Sequence, residues 1–206
     1  MVGRPIPHRQ RSSSIQKSCI ETTQEFRYNA QLRQYSPREL KAIDEFVDKN
    51  LARGYIEKST AKCSSPLLLV PKKGTDELRV CVDFRKLNAI TKKRVHAPLP
   101  TAAYRNRIAQ ARWYSKYDIE EAFYHLRIRK EDRPKTTFRC HRGTFQFVVM
   151  PFGLTNAPAE FQIYIENILW ELLGKHVTIH LDDILLFTDD LKTQTRHICS
   201  NLPATQ

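Results

Sequence analysis

The 206-residue sequence has few of the features that mark secreted, membrane-spanning or zinc-binding proteins. Its five cysteines, at 19, 63, 81, 140 and 199, are odd in number and form neither a CxxC pair nor a His/Cys cluster. This spacing argues against a disulfide framework and a structural zinc site, and it favours a reducing compartment. No apolar run approaches the ~18 residues of a membrane span, and the N-terminus lacks the apolar core of a signal peptide.

Two common catalytic signatures are missing as well. The sequence has no Gly-rich loop of the GxxxxGK type and no arrangement that resembles a Ser-His-Asp triad. Acidic residues are outnumbered, since 34 Lys and Arg against 22 Asp and Glu give a formal net charge of +12. Such an excess attracts polyanions, with nucleic acid as the leading candidate, although an ordinary basic soluble protein has the same balance.

The apolar fraction of 41% is compatible with a core, and the length predicts one domain or two small subdomains. Residues 1–25 are basic and polar, which predicts a flexible arm. A capping box at Ser36 begins a predicted helix that ends at Gly54. A further helix is predicted around 102–109, and a long one begins at Thr155 or Asn156 and stops at Gly174.

The remaining pattern predicts strands, which dominate over βαβ units and indicate a mixed α+β fold. They are expected at 55–57, at 66–71 paired with 78–84, at 113–118, at 136–140 paired with 144–149, and on both sides of Asp182.

One apolar stretch, residues 177–187, carries two adjacent carboxylates, Asp182 and Asp183, and contains no Lys or Arg. A carboxylate away from water is usually paired, neutralised or bound to metal. Taken alone, the stretch favours a solvated hairpin turn, because Asp is a common turn residue. The other interpretation is that the turn meets Asp118, at the end of the strand predicted at 113–118. Three carboxylates there would suit Mg²⁺, and two ions roughly 3.5–4 Å apart serve phosphoryl transfer.

Four blocks decide between these interpretations: VDFRKLN at 82–88, YSKYDI at 114–119, MPFGLTNAPAEFQ at 150–162 and HLDD at 180–183. In this order they resemble a reverse transcriptase of the Ty3/Gypsy LTR-retrotransposon type, from about Ser36 to Phe187. The resemblance implies a right-hand polymerase fold with an antiparallel palm sheet backed by helices. Fingers are expected at about 55–112 and 130–150, and palm at about 113–129 and 151–190, within a domain spanning 26–190.

The resemblance also implies roles for individual residues. Asp118, Asp182 and Asp183 match the catalytic carboxylates that bind two Mg²⁺ ions, or Mn²⁺, and Asp183 is the accessory one. The nucleotide-binding and template-side positions are matched by Lys72, Arg79, Phe123, Phe152 and Gly153, and by Arg85 and Asn88. Lys72 and Arg79 would hold the triphosphate. Phe123 would crowd a 2′-hydroxyl and favour dNTPs, and its alternative role is core packing.

The sequence departs from the family pattern in three ways. His180 stands where Tyr is usual, and its protonation at low pH would weaken ion binding. Glu121 and Ala122 replace a small polar residue and Gly, which places an additional acid near Asp118. The thumb is expected to be absent, residues 191–206 form a divergent tail, and the start at Met1 suggests a short reading frame or a fragment.

The resemblance thus predicts an RNA-directed DNA polymerase that uses an RNA template, a DNA or tRNA primer and dNTPs. Without a thumb, poor processivity is expected. The alternative is an inactive, truncated retrotransposon remnant that at most binds nucleic acid. No membrane partner is expected, and the expected location is intracellular and cytoplasmic, with a virus-like particle or the nucleus as other compartments.

Overall fold

A computed structural model of the protein describes residues 17–72, 74–96 and 104–193. The strands in these ranges are β1 (Lys17–Ser18), β2 (Ile56–Lys58), β3 (Leu67–Pro71), β4 (Leu78–Val82), β5 (Trp113–Asp118), β6 (Arg127–Ile128), β7 (Phe138–Cys140), β8 (Gly143–Phe147), β9 (Val177–His180) and β10 (Asp183–Thr188). The helices are α1 (Pro37–Ala52), α2 (Arg85–Ile90), α3 (Arg105–Gln110) and α4 (Ala157–Ile168). Short 3₁₀ turns cover Ala122–His125 and Arg133–Thr136.

The strands form small sheets that are antiparallel with one exception. Two three-stranded sheets have the orders β5–β10–β9 and β2–β8–β7, and β3–β4 is a separate hairpin. The exception is β1, which pairs in parallel with β6. Antiparallel pairs combined with helices are the predicted α+β class.

Helix α1 begins as its sequence predicts. The Ser36 hydroxyl accepts a hydrogen bond from the Glu39 amide at 3.3 Å, and the Glu39 carboxylate accepts one from the Ser36 amide at 2.8 Å. Ile43 and Val47 bury one face of the helix. Gly54, at φ +66°, follows its end, so the predicted boundaries are confirmed.

A hydrophobic cluster joins α1, α2 and α4 to both three-stranded sheets. It includes Ile43 on α1, Leu87 on α2, Phe138 on β7, Phe161 on α4 and Ile184 on β10. Because these side chains are almost fully buried, the elements pack as one body. No helix of the described ranges has the length and apolarity needed to cross a bilayer.

The long helix was predicted to extend too far. Helix α4 ends at Ile168 rather than at Gly174. The backbone amides of Lys175, His176 and Val177 all donate to the Leu172 carbonyl, so the chain coils tightly after the helix. Leu172 fits helical spacing, so the apolar pattern alone does not distinguish a longer helix from the tight coil that these local bonds form.

The start of α4 also differs in its contacts. Asn156 occupies the cap position, but its side chain makes no capping bond. Its Oδ1 instead accepts from the Arg94 amide at 3.0 Å, and its Nδ2 donates to the Lys92 carbonyl at 2.8 Å.

The predicted N-terminal arm is wrong for the part of it that the structure describes. Lys17 and Ser18 pair with β6, and Ile20 is buried, so residues 17–25 belong to the folded body. This packing depends on β6, far along the chain, and leaves no local signal. Residues 1–16, 73, 97–103 and 194–206 lie outside the described residues, and they include most of the predicted tail and the start of the helix predicted at 102–109. The division into fingers and palm stays a prediction.

Candidate active site

β5 and β10 bring the three predicted carboxylates to one end of a sheet. Asp183, the first residue of β10, is the cross-strand partner of Asp118, the last residue of β5. Asp182 lies in the turn just before β10, and its carbonyl accepts from the Ile119 amide at 3.0 Å. Directly opposed residues of an antiparallel pair have Cα atoms about 4.5–5.5 Å apart. Acids that are distant in sequence therefore meet.

Strand β10 is largely buried, whereas the acidic end of the sheet is exposed. Ile184, Leu186 and Phe187 are each at most 3% exposed. Asp118 and Asp182 are exposed, and Asp183 is partly exposed. The carboxylates thus remain hydrated while the strand that carries them is anchored in the core.

Lys116 is the counter-ion of this end of the sheet, and the sequence analysis did not predict a role for it. Its Nζ lies 2.9 Å from Asp183 Oδ1, and this hydrogen bond raises the pKa of Lys116. Lys116 precedes Asp118 by two residues, so both occupy the same face of β5. His180 is the partner of Asp183 on the other side, in β9. Asp183 therefore lies between Asp118 and His180 on the two neighbouring strands, and Lys116 is its ion-pair partner.

The carboxylates form an open set of oxygen donors. Across the described ranges, no group of three or more His, Cys, Asp or Glu side chains is arranged to hold a metal ion. Mg²⁺ does not require such a cage, because it binds through one or two carboxylates and completes its shell with water and substrate phosphates. The exposed oxygens of Asp118 and Asp182 fit that mode of binding.

The turn that carries Asp182 has an unusual backbone. Leu181 has φ +56°, a left-handed conformation that a residue with a Cβ rarely adopts. Gln162 of α4 contacts this turn: its Oε1 accepts from the Leu181 amide at 2.8 Å, and its Nε2 donates to the Ile179 carbonyl at 3.2 Å. Gln162 belongs to one of the four sequence blocks, but its role could not be read from that block.

Phe123 and Phe152, two predicted nucleotide-binding residues, contact each other. Their ring centroids are 4.8 Å apart in an edge-to-face arrangement. The Phe123 ring also lies 5.9 Å from Phe161, a buried residue of α4. Phe152 is 54% exposed. Phe123 therefore packs against the core and also borders an exposed ring, and its role toward the 2′-hydroxyl stays a prediction.

Gly153 and Asn88 fix the loop that precedes α4. Gly153 has φ +96°, and a Cβ at this position would meet the Phe84 ring at 3.6 Å. The Asn88 side chain donates to the Gly153 carbonyl at 2.7 Å and accepts from the Thr155 amide at 2.9 Å. Asn88, predicted on the template side, thus uses its amide group to hold the loop.

The predicted basic residues lie in or just after the β3–β4 hairpin, and two of them have acidic partners. Lys72 Nζ lies 2.5 Å from Glu77, and Arg85 lies 2.7 Å from Asp83. The hydrogen bond from Lys72 lowers the pKa of Glu77, and that from Arg85 lowers the pKa of Asp83. Arg79 is exposed and faces Val70 across the hairpin.

Glu121, the additional acid of the sequence, is held by α1. Arg53, just past the end of that helix, donates to both Glu121 carboxylate oxygens at 2.6 and 2.7 Å. Glu121 has φ +51°, so the chain bends sharply between Asp118 and Phe123. Nearby, burial raises the pKa of Tyr124 to about 12.

Comparison with known proteins places this geometry in a family. The sequence model of the reverse transcriptase (RNA-dependent DNA polymerase) family matches residues 70–204. The chain belongs to the reverse transcriptase family. It is 36% identical over 183 residues, 87% of its length, to the Transposon Tf2-3 and Tf2-7 polyproteins of Schizosaccharomyces pombe. These relatives confirm the Ty3/Gypsy-type resemblance, and the chain spans 13% of their length.

Solved reverse transcriptases share the fold. The native prototype foamy virus protease-reverse transcriptase superposes with a TM-score of 0.77 at 22% identity, covering 90% of this chain and 24% of that one. The foamy viral protease-reverse transcriptase in complex with an RNA/DNA hybrid gives a TM-score of 0.76 at 19% identity, over 89% of this chain and 24% of that one. The predicted α+β fold of a right-hand polymerase is therefore confirmed.

Proposed function

We propose that the chain is the polymerase centre of an RNA-directed DNA polymerase that adds dNTPs to a primer 3′-hydroxyl and releases pyrophosphate. The observation that carries this proposal is the register that places Asp118 opposite Asp183, beside Asp182 in the adjoining turn. The family supports the polymerase class, and the register supports these three residues as its acids.

In this proposal, acidic residues bind the metal ions and basic residues bind the triphosphate. Asp118 and Asp182 would hold two Mg²⁺ ions, or Mn²⁺, with Asp183 as the accessory acid. When bound, such ions stabilise charge on the attacking and leaving oxygens of the transferred phosphate. Lys72 and Arg79 would hold the triphosphate, because fixed cations stabilise charge on transferring phosphoryl groups. Phe123, beside Phe152, would border the sugar and exclude a 2′-hydroxyl.

The proposed nucleic-acid partners are an RNA template with a DNA or tRNA primer. Foamy viral reverse transcriptases of the same fold are described in complexes with an RNA/DNA hybrid and with double-stranded DNA. The net charge of +12 favours such polyanions. An intracellular site of action, in the cytoplasm, a virus-like particle or the nucleus, remains a prediction.

Primer extension on an RNA template with Mg²⁺ and dNTPs tests the proposal. Asp182→Asn should reduce extension about 1000-fold or more, because a metal ligand contributes several kcal/mol of charge stabilisation and each 1.4 kcal/mol is tenfold in rate. Asp189→Asn, an exposed acid just past β10, is the matched control and should extend like the unmodified chain.

Binding to the same primer–template separates catalysis from binding alone. Asp182→Asn should bind the duplex as the unmodified chain does. If Asp182→Asn and the unmodified chain extend primers equally, the catalytic role is refuted. Binding without extension by the unmodified chain would instead establish the competing function, an inactive nucleic-acid-binding protein.

A further inference from the structure

A line of polar contacts connects the Leu181 turn to the segment that precedes residue 97. Gln162 bonds the turn on one side, and its Nε2 also donates to Glu166 Oε1 at 2.6 Å. Glu166 Oε2 lies 2.9 Å from His96 Nε2. The order of contacts is His96, Glu166, Gln162 and Leu181.

These contacts lie away from bulk water. Gln162 is 6% exposed, and the Glu166 side chain is 13% exposed. A buried side-chain amide needs partners for both its oxygen and its nitrogen. Gln162 finds them in the turn and in Glu166, so its orientation is determined from both ends.

The segment that provides His96 is itself fixed along α4. Asn156 bonds the backbone of Lys92 and Arg94, and the Arg94 guanidinium lies 2.5 Å from Glu160, a carboxylate that is 2% exposed. His96 continues this attachment at Glu166. Residues 92–96 therefore support the helix on the side from which Glu166 contacts Gln162.

Leu181 has a conformation that needs such support. A non-glycine residue in the left-handed region is strained and persists only where its surroundings determine it. In its left-handed conformation, Leu181 donates a backbone hydrogen bond to the Gln162 side chain. The next residue is Asp182. Loss of the bond would let the turn relax and move the carboxylate.

We infer that Gln162 is a positioning residue for divalent-cation binding. It holds Leu181 in the left-handed conformation that presents Asp182 to the ion, and Glu166, supported by His96, keeps Gln162 oriented. This inference rests on the proposed function for the identity of the cation site, whereas the hydrogen-bond relay stands on the contacts alone.

Three leucine substitutions on α4 in the 206-residue chain test the inference. Gln162→Leu removes the bonds to the turn, Glu166→Leu removes the support of Gln162, and Asn167→Leu alters an exposed amide of the same helix as the control. NMR hydrogen exchange of the Leu181 amide should accelerate about 5- to 10-fold in Gln162→Leu, as expected for one lost hydrogen bond. It should accelerate about 2- to 3-fold in Glu166→Leu and remain unchanged in Asn167→Leu.

Mn²⁺ binding, followed by electron paramagnetic resonance with the metal alone, gives the second readout. Half-saturation should require at least about 3-fold more Mn²⁺ in Gln162→Leu than in the unmodified chain. The increase should be smaller in Glu166→Leu and absent in Asn167→Leu. Unchanged Leu181 exchange in Gln162→Leu would overturn the inference, as would faster exchange with unaltered Mn²⁺ binding. If Gln162→Leu unfolds, Glu166→Leu decides by the same two readouts.

Neither measurement requires polymerase activity. A chain that extends no primer but shows both effects would refute the proposed function and leave the positioning role intact. A chain that extends primers normally and shows neither effect would do the opposite.

Discussion

The carboxylate sheet β5–β10–β9 and the basic hairpin β3–β4 hold their charged residues in different ways. In the sheet, Asp118 and Asp183 are set opposite each other by strand register, above the buried residues of β10. In the hairpin, Lys72 and Arg79 are exposed, and Lys72 is paired with its neighbour Glu77. The acidic residues lie on a sheet that is anchored in the core. The basic residues lie on the two-stranded β3–β4 hairpin, which packs less apolar surface.

This difference indicates how each region would receive a ligand. Each contains an internal counter-ion, Lys116 at Asp183 and Glu77 at Lys72, which a bound cation or triphosphate would replace. The acidic side needs little rearrangement because its backbone is anchored on both sides of β10. On the basic side, Lys72 and Arg79 are exposed, so their side chains have more room to adjust to a ligand.

Stability provides the largest test of this comparison. Phe187→Ala, in the buried part of β10, should lower the free energy of unfolding by about 3–5 kcal/mol because it leaves a cavity. Val70→Ala in the hairpin, where Val70 is 49% exposed, should lower it by less than about 1 kcal/mol. Urea denaturation followed by circular dichroism measures both. Equal losses would show that the two regions are anchored alike.

Nucleotide selection tests Phe123, which lies in the short 3₁₀ turn that follows the acidic end of β5. Phe123→Val should reduce the preference for dNTPs over rNTPs about 10- to 100-fold, because a shorter side chain admits the 2′-hydroxyl. The measurement is kcat/KM for each nucleotide in primer extension. Phe123→Tyr retains the ring and should retain the preference. An active Phe123→Val protein with unchanged preference would leave Phe123 with core packing alone.

The counter-ion of the hairpin gives the smallest expected effect. Glu77→Gln should lower KM for dNTPs about 2- to 3-fold, because Lys72 no longer has a competing carboxylate. Asp76→Asn removes a charge from the same turn without touching Lys72 and is the matched control. The difference between the two variants should disappear in 0.5 M salt, where a Debye length of about 4 Å screens exposed charges. A rise in KM in Glu77→Gln would show that the ion pair positions Lys72 for the nucleotide.

Features with a local signature were predictable from the sequence. The capping box at Ser36 specifies its own hydrogen bonds, and alternation of apolar residues specifies both hairpins and the strand that ends at Asp118. The meeting of Asp118 with Asp182 and Asp183 followed from the order of the four blocks, and the register of β5 and β10 agrees with it.

Features that depend on distant partners were not predictable. Burial of Ile20 depends on pairing with β6, the support of the Leu181 turn depends on Gln162, and Lys116 becomes a counter-ion only when β10 lies beside β5. The prediction of where α4 ends was wrong for another reason. The apolar Leu172 is compatible both with a continued helix and with the tight coil that the structure shows.

The bond between Arg53 and Glu121 joins the C-terminal end of α1 to the bend that precedes Phe123. Because Glu121 has a left-handed backbone conformation, the chain bends sharply at this residue, and Phe123 follows two residues later. A displacement of the last turn of α1 would therefore reach this bend through two ion pairs, Lys49–Glu121 at 3.8 Å and Arg53–Glu121 at 2.6 Å. Under the proposed function, the choice between ribose and deoxyribose at Phe123 would thus be coupled to a helix that contributes none of the three acids.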